Sequence, residues 1–225
     1  MVLGIHRSGA SAVAGVLHHL GVYMGKPNPG AESELPPIDG WPTYSSNPRG
    51  QFEDGNFCNI NRALVGPNWR NPQLFLDRKG EGFAEAFATN SILTTKPIYG
   101  FKDPAACFTW SVWLQVFSEA GHKVKVIIVK RNFSASITSL IKREPVPEQV
   151  ANHILSQYWI NLAEAAEKIV KSHPVYAFSY EALLAKTEEE IKKLAAWCFT
   201  GLDVQPTSEQ MSTAVSHIDP SLNHA

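Results

Sequence analysis

Four short runs of strand character, at residues 1–5, 98–101, 124–130 and 175–178, alternate along the chain with segments of helical periodicity. A strand that feeds a helix before each return lies parallel to its predecessor, so this order predicts an α/β fold. The expectation is three layers, with a central parallel sheet of four to five strands flanked by helices. The first helix is expected from about Ser11, because Val13, Val16, Leu17 and Leu20 follow the i, i+3, i+4, i+7 spacing and Gly21 stands at the C-cap position. A long helix after Pro147 is marked by Val150, Ile154, Tyr158, Leu162 and Ile169. Thr187 and Glu190 read as a capping box ahead of Ile191, Leu194, Ala195 and Cys198. Between residues 26 and 50 periodicity stops: Pro27, Pro29, Pro36, Pro37, Pro42 and Pro48 leave an extended loop, expected to act as a lid or substrate loop.

At 225 residues the chain is long enough for one full hydrophobic core, and residues 1–225 are read as a single domain. Lys plus Arg number 20 against 21 for Asp plus Glu, so there is no global basic field for nucleic acid or an anionic membrane. Any anion site must be built locally. Cys58, Cys107 and Cys198 are odd in number and widely spaced, which suits buried thiols better than disulfides or metal ligands. The eight histidines lack zinc-type spacing, and His18 and His19, adjacent on a helix, are expected to face apart, so no metal site is expected. No apolar run approaches the ~18 residues that span a bilayer. The chain is expected to be cytoplasmic and to carry no transmembrane segment.

The segment Gly4-Ile5-His6-Arg7-Ser8-Gly9-Ala10-Ser11 lies between the first strand and first helix. Backbone N–H groups and the helix dipole favour an anion at such a place. Glycines allow close approach of backbone, Ser8 and Ser11 offer hydroxyls, and Arg7 offers a planar charged fork. A P-loop that binds nucleoside triphosphate with Mg²⁺ needs Lys after its second glycine, whereas Ala10 follows Gly9 here. The run 124–130 then ends in Lys130-Arg131, where such enzymes carry a Mg²⁺-holding Asp. The anion is thus expected to be neutralised by protein cations.

A second grip follows that strand. Asn132 is a good N-cap, and Asn132, Ser136, Ser139 and Arg143 fall on one polar stripe while Phe133, Ile137, Leu140 and Ile141 turn toward a core. Arg131 at the helix entrance and Ser139 two turns along can hold one compact anion. Two phosphate grips in one small domain suit a nucleoside phosphorylated at both ends.

With these residues the chain resembles the sulfotransferases that use 3′-phosphoadenosine-5′-phosphosulfate (PAPS), a family of P-loop-NTPase-like fold. The likeness rests on residues 4–11 with the helix after them and on Val129-Lys130-Arg131-Asn132 through Ser139. It extends to Asn47-Pro48-Arg49-Gly50-Gln51-Phe52-Glu53-Asp54, Gly100-Phe101-Lys102-Asp103-Pro104 and Phe178-Ser179-Tyr180-Glu181-Ala182-Leu183-Leu184, and so spans residues 1 to about 200. The resemblance implies that Arg7 faces the oxygen bridging to the sulfuryl group. It implies that Ser8, Gly9 and Ser11, in a loop that also holds His6 and Ala10, line the 5′-phosphate. Arg131 and Ser139 would hold the 3′-phosphate, and Tyr180 would meet the adenine. Ala10 stands where a Thr is common, and no Lys-x-His segment supplies a histidine base.

The expected activity is sulfuryl transfer to a hydroxyl or amine of a sugar, lipid, peptide or small molecule, with the product nucleotide PAP released and no metal required. Arg7 and Lys102 are the candidates for stabilising charge on the leaving oxygen. Glu53 is the expected base; Asp54, Asp103 and His6 are substitutes, and Glu53 has an alternative role at the start of a helix over 54–65. Trp41, Trp69, Trp110 and Trp113 are divided between acceptor pocket and core. Two rivals stand beside this reading: a nucleotide phosphotransferase with an altered P-loop, and a non-catalytic nucleotide-binding module.

Overall fold

The computed structural model describes residues 1–28, 31–72, 96 and 98–222, so Pro29 of the expected lid loop lies outside the described residues. Three parallel strands form the central sheet: β1 (Val2–Leu3), β4 (Val126–Lys130) and β5 (Val175–Ser179), in the order β1-β4-β5. The register sets Val2 beside Ile127 and Ile128 beside Ala177. Among the described residues the sheet has these three strands, and the four to five expected go beyond them. The segment around 98–102 meets β1 by an isolated bridge of Val2 with Lys102, with Val2 N–H donating to the Phe101 carbonyl at 2.9 Å, and meets the chain after α1 by a bridge of Tyr99 with Tyr23.

β4 is apolar on both faces, as a central parallel strand must be when helices cover both sides. Val126 and Ile128 enter one core, Ile127 and Val129 the other. The first core packs α2 (Gly55–Val65), α3 (Ala106–Glu119), α4 (Phe133–Arg143) and α5 (Glu148–Ile169). The second packs α1 (Ala10–His19), α7 (Thr187–Phe199) and α8 (Ser208–His217). A short α6 (Tyr180–Ala185) runs off β5. Phe57 stacks on Phe101 at 3.7 Å and leans on Trp113 in the first core. Cys58, Cys107 and Cys198 are buried free thiols. No helix among the described residues is long and apolar enough to cross a membrane.

The helical periodicity holds in α1, whose Val13, Val16, Leu17 and Leu20 are all buried. Gly21 and Val22 N–H close the helix on the carbonyls of His18 and Leu17. In α5, Ile154, Tyr158, Leu162 and Ile169 are buried, while Val150, in the first turn, is exposed. The capping box expected at Thr187 is corrected. α6 runs almost directly into α7, so the Thr187 hydroxyl donates back to the Leu183 carbonyl at 2.8 Å. The capping box of this chain is Thr207 with Gln210, at the start of α8.

The stretch 26–50 is not structureless. It contains an antiparallel hairpin, β2 (Leu35–Ile38) and β3 (Trp41–Thr43), closed by Asp39-Gly40 with both φ positive. A two-stranded hairpin has free edges, so Pro36, Pro37 and Pro42 cost it no ladder partner on a third strand. His18 and His19 do not diverge as expected: both rings turn to Asp39 in that hairpin turn, each 3.6 Å from its Oδ2.

Candidate functional site

β1 ends at Leu3, and the chain turns through residues 4–9 before α1 begins at Ala10. Arg7 adopts a left-handed backbone (φ 65°), which a non-glycine residue takes only when its surroundings hold it there. The hold is visible: the Arg7 carbonyl accepts from Arg131 Nη1 at 2.8 Å, and Arg7 Nε donates to Ser139 Oγ at 2.9 Å. Gly9 is left-handed too, and a Cβ there would lie 2.1 Å from the Tyr180 ring. With Gly9 as N-cap, no side chain caps α1, and no acidic residue stands in its first turn. The first N–H groups of the helix therefore face the cleft with their partial positive charge.

α4 supplies the opposite wall. Asn132 caps it, accepting from Ala135 N–H, and Ser136 and Ser139 are buried under the Arg7 loop. Phe133, Ile137 and Ile141 only flank the first core, and Leu140 enters it. The Arg131 guanidinium lies 4.9 Å from the Tyr180 ring centroid, a cation–π contact. Burial first, then the neighbouring Arg143 and Arg131, pull Arg7 down to about 10. A group so placed is short of negative charge, which a bound anion supplies.

The third wall carries the carboxylates. Phe52 is left-handed (φ 52°) with its ring fully buried against Trp41 and His18. Asp54 caps α2, accepting from Asn56 and Phe57 N–H, and also from Lys26 N–H and the Tyr99 hydroxyl. Glu53, held between these anchors, turns to the cleft. Its Oε1 accepts from Lys102 Nζ at 2.6 Å, and Lys102 also donates to Ser11 Oγ at 2.9 Å. Lys102 is only 2% exposed, whereas the Glu53 side chain keeps 26% of its surface open toward solvent.

Beneath it, Asp103 accepts from Asn61 Nδ2 and Ala105 N–H, and burial followed by Glu53 raises it to about 6. Asn61 in turn accepts from Thr109 and Trp113. Asp54 and Asp103, the substitutes for the base, are thus committed inside the structure and lie off the cleft lining, whereas Glu53 is on it.

One cleft gathers His6, Arg7, Gly9, Ala10, Ser11, Glu53, Lys102, Arg131, Ser139 and Tyr180. Ser8 departs from expectation: its hydroxyl is buried, without a hydrogen-bond partner among the described residues, and points under the loop at Gly4. The Ser8 N–H is engaged as well, donating to the Ile5 carbonyl at 3.2 Å, and Ser8 is off the cleft lining. His6 lines the cleft yet packs between the Trp69 and Tyr158 rings, both at 4.7 Å. Burial, then Arg143, Lys102 and Arg7, depress it to about 3, which disfavours the imidazolium that a base or a charged phosphate ligand must form. Trp41 and Trp113 are core, and no tryptophan lines the cleft among the described residues.

Several lining residues were not anticipated as site residues. Arg49 with Asn47 and Gln51 comes from the loop before Glu53, and Arg143 from the end of α4; both regions carried a signal, in the 47–54 motif and the polar stripe. The C-terminal segment after about Pro206, which the sequence leaves open between a cover for the nucleotide and a tail, adds His217, Ile218, Asp219 and Leu222. Arg49 and Asp219 approach to 3.5 Å across the opening. Among the described lining residues, the cations Arg7, Arg49, Lys102, Arg131 and Arg143 outnumber the carboxylates Glu53 and Asp219, a balance of charge that favours an anion. Comparison with protein-family models, with curated proteins and with solved structures found no match.

Proposed function

We propose that this chain is a sulfotransferase that takes a sulfuryl group from PAPS and passes it to a hydroxyl or amine. The observation that carries the reading is the contact of Arg131 with the Arg7 carbonyl at 2.8 Å, which joins the two phosphate grips into one cleft. The uncapped start of α1, with Gly9 to Ser11, would receive the 5′-phosphosulfate, and Arg131 with Ser139 the 3′-phosphate. Tyr180, already against Gly9 and Arg131, would meet the base. Ala10 and the Lys130-Arg131 strand end, in place of the Lys and Asp of a magnesium-dependent P-loop enzyme, favour a donor neutralised by side-chain cations. The likeness of residues 4–11 and 129–139 to sulfotransferases supports the same choice, and extends to a P-loop-like fold.

In the reaction, an acceptor oxygen or nitrogen attacks sulfur, the bond from sulfur to the 5′-phosphate oxygen breaks, and PAP leaves with the electron pair. Glu53 accepts the acceptor proton. Lys102, bonded to both Ser11 and Glu53, links the 5′-phosphate cradle to the base. As it turns toward charge on the leaving oxygen, it frees Glu53 for the acceptor. Arg7 reaches the same cleft once it gives up Ser139. A second reading, a non-catalytic nucleotide module, is favoured by one feature: Glu53 is tied to Lys102 at 2.6 Å.

The test has two arms. PAP without Mg²⁺ raises the melting temperature, and Arg131→Ala removes most of that rise; a rise only with ATP and Mg²⁺ favours the phosphotransferase reading instead. Radiolabelled PAPS offered with a broad acceptor panel gives labelled product that Arg7→Ala abolishes. Binding of PAP with no transfer to any acceptor leaves the non-catalytic module.

A further inference from the structure

At the other end of α1, roughly 15 Å from the anion loop by helix rise, three side chains from two distant parts of the sequence point at one spot. His18 presents Nε2 and His19 presents Nδ1, and each lies 3.6 Å from Asp39 Oδ2. All three ligand atoms lie within 4.8 Å of one another. Neighbours on a helix point about 100° apart, and the rings meet because one uses its far nitrogen and the other its near one. We propose that His18, His19 and Asp39 form a Zn²⁺ site that clamps the β2–β3 hairpin to the C-terminal end of α1.

The donor set is that of a borderline divalent ion: two imidazole nitrogens and a carboxylate oxygen. Zinc bonds of about 2.0–2.1 Å in tetrahedral geometry place ligand atoms roughly 3.3 Å apart. The two spans to Asp39, at 3.6 Å, exceed that slightly, and the span between the two imidazole nitrogens, within 4.8 Å, must close further by ring rotation. Asp39 is held for this purpose by the Asp39-Gly40 turn, and its side chain is 56% exposed, so an ion enters from solvent and water takes the fourth position.

The surroundings match those of a metal-bound imidazole. His19 Nε2, the nitrogen turned away from Asp39, lies 3.2 Å from His217 Nδ1. A second hydrogen bond of this kind orients a ligating ring and fixes its tautomer. When His217 accepts this bond, the bare Nδ1 lone pair of His19 faces the Asp39 carboxylate, an arrangement that a cation between them completes. His217 is itself immobilised: its Nε2 lies where a Cβ on Gly15 would be, at 2.1 Å, with no polar partner among the described residues. Trp41 and Phe52 pack beside His18 and shield the ion from one side. The site joins three segments, α1, the hairpin and α8, and the last leads directly to Ile218 and Asp219 at the cleft. It stands whether or not the chain transfers sulfuryl groups.

The test uses the full chain, stripped with chelator and titrated with Co²⁺ as a spectroscopic substitute for Zn²⁺. Wild type is expected to bind one Co²⁺ with the visible absorption of a four-coordinate ion, displaced by Zn²⁺, and Zn²⁺ is expected to raise the melting temperature. His18→Gln and Asp39→Asn, both at solvent-accessible positions, each weaken binding by more than tenfold, and His217→Gln weakens it about tenfold. His153→Gln and His173→Gln, at an exposed and a half-buried histidine elsewhere, leave it unchanged. Absence of the absorption in wild type overturns the proposal, as does unaltered binding in folded Asp39→Asn.

Discussion

Glu53 and Asp54 are chemically alike and adjacent, and the backbone gives them opposite tasks. Asp54 is acceptor to four donors, so Asp54→Ala is expected to cost more than about 2 kcal/mol in chemical denaturation, by loss of a helix cap and orphaned buried donors. Glu53→Gln keeps an oxygen for Lys102, so its effect is expected in the chemistry: transfer falls by roughly 10²–10⁴-fold, while the melting shift with PAP persists. If Glu53→Gln transfers at the wild-type rate, the base is another group. The motif around 47–54 located this pair, but which carboxylate faces the cleft depends on the left-handed turn at Phe52, a tertiary effect of burying its ring. Ser8 shows the converse: its hydroxyl reads as a phosphate ligand in the motif, and the close approach of Gly4 draws it under the loop.

At the level of elements, those whose apolar spacing matches their period were readable from the chain, α1 and α5 above all. The hairpin at 35–43 was hidden by its prolines, although Asp39-Gly40 is itself a hairpin-turn signal. The box read at Thr187 does not form, because α6 lies close enough for Thr187 to bond backward, and the box that does form, at Thr207, was not read from the sequence. Thr207→Ala should therefore destabilise α8 by about 1 kcal/mol, read as faster amide hydrogen exchange over residues 208–211 with α1 unaffected. Thr187→Ala should leave the exchange of α7 nearly unchanged. Among the described residues, the run at 98–101 forms no ladder with β1, which is reached by a single bridge from Lys102 to Val2.

For the whole molecule, two buried groups couple folding to pH in opposite directions. His6 is depressed from 6.5 to about 3, so the unfolded chain takes up a proton first as pH falls. The stability this represents is present above about 6.5 and is lost progressively as pH falls through 3. Asp103 is raised from 3.8 to about 6, so its contribution is full below 3.8 and is lost as pH rises through 6. His6→Phe, which keeps a ring between Trp69 and Tyr158, is expected to shift the slope of stability against pH between pH 6 and pH 4 by on the order of 1 kcal/mol per pH unit, leaving the opposing contribution of Asp103 uncompensated. Urea unfolding at several pH values measures this, and an unchanged slope would count against the buried neutral imidazole.

Arg49 and Asp219 reach toward each other from segments 170 positions apart in the chain, one ahead of Glu53 and the other just after α8. Both side chains keep a third or more of their surface in water, so their attraction amounts to about 1 kcal/mol at most. So weak a contact opens on thermal fluctuation alone. If the cleft takes the nucleotide proposed for it, the arginines that line it, rather than this outer pair, would set how long it stays, and salt would shorten that stay by screening them.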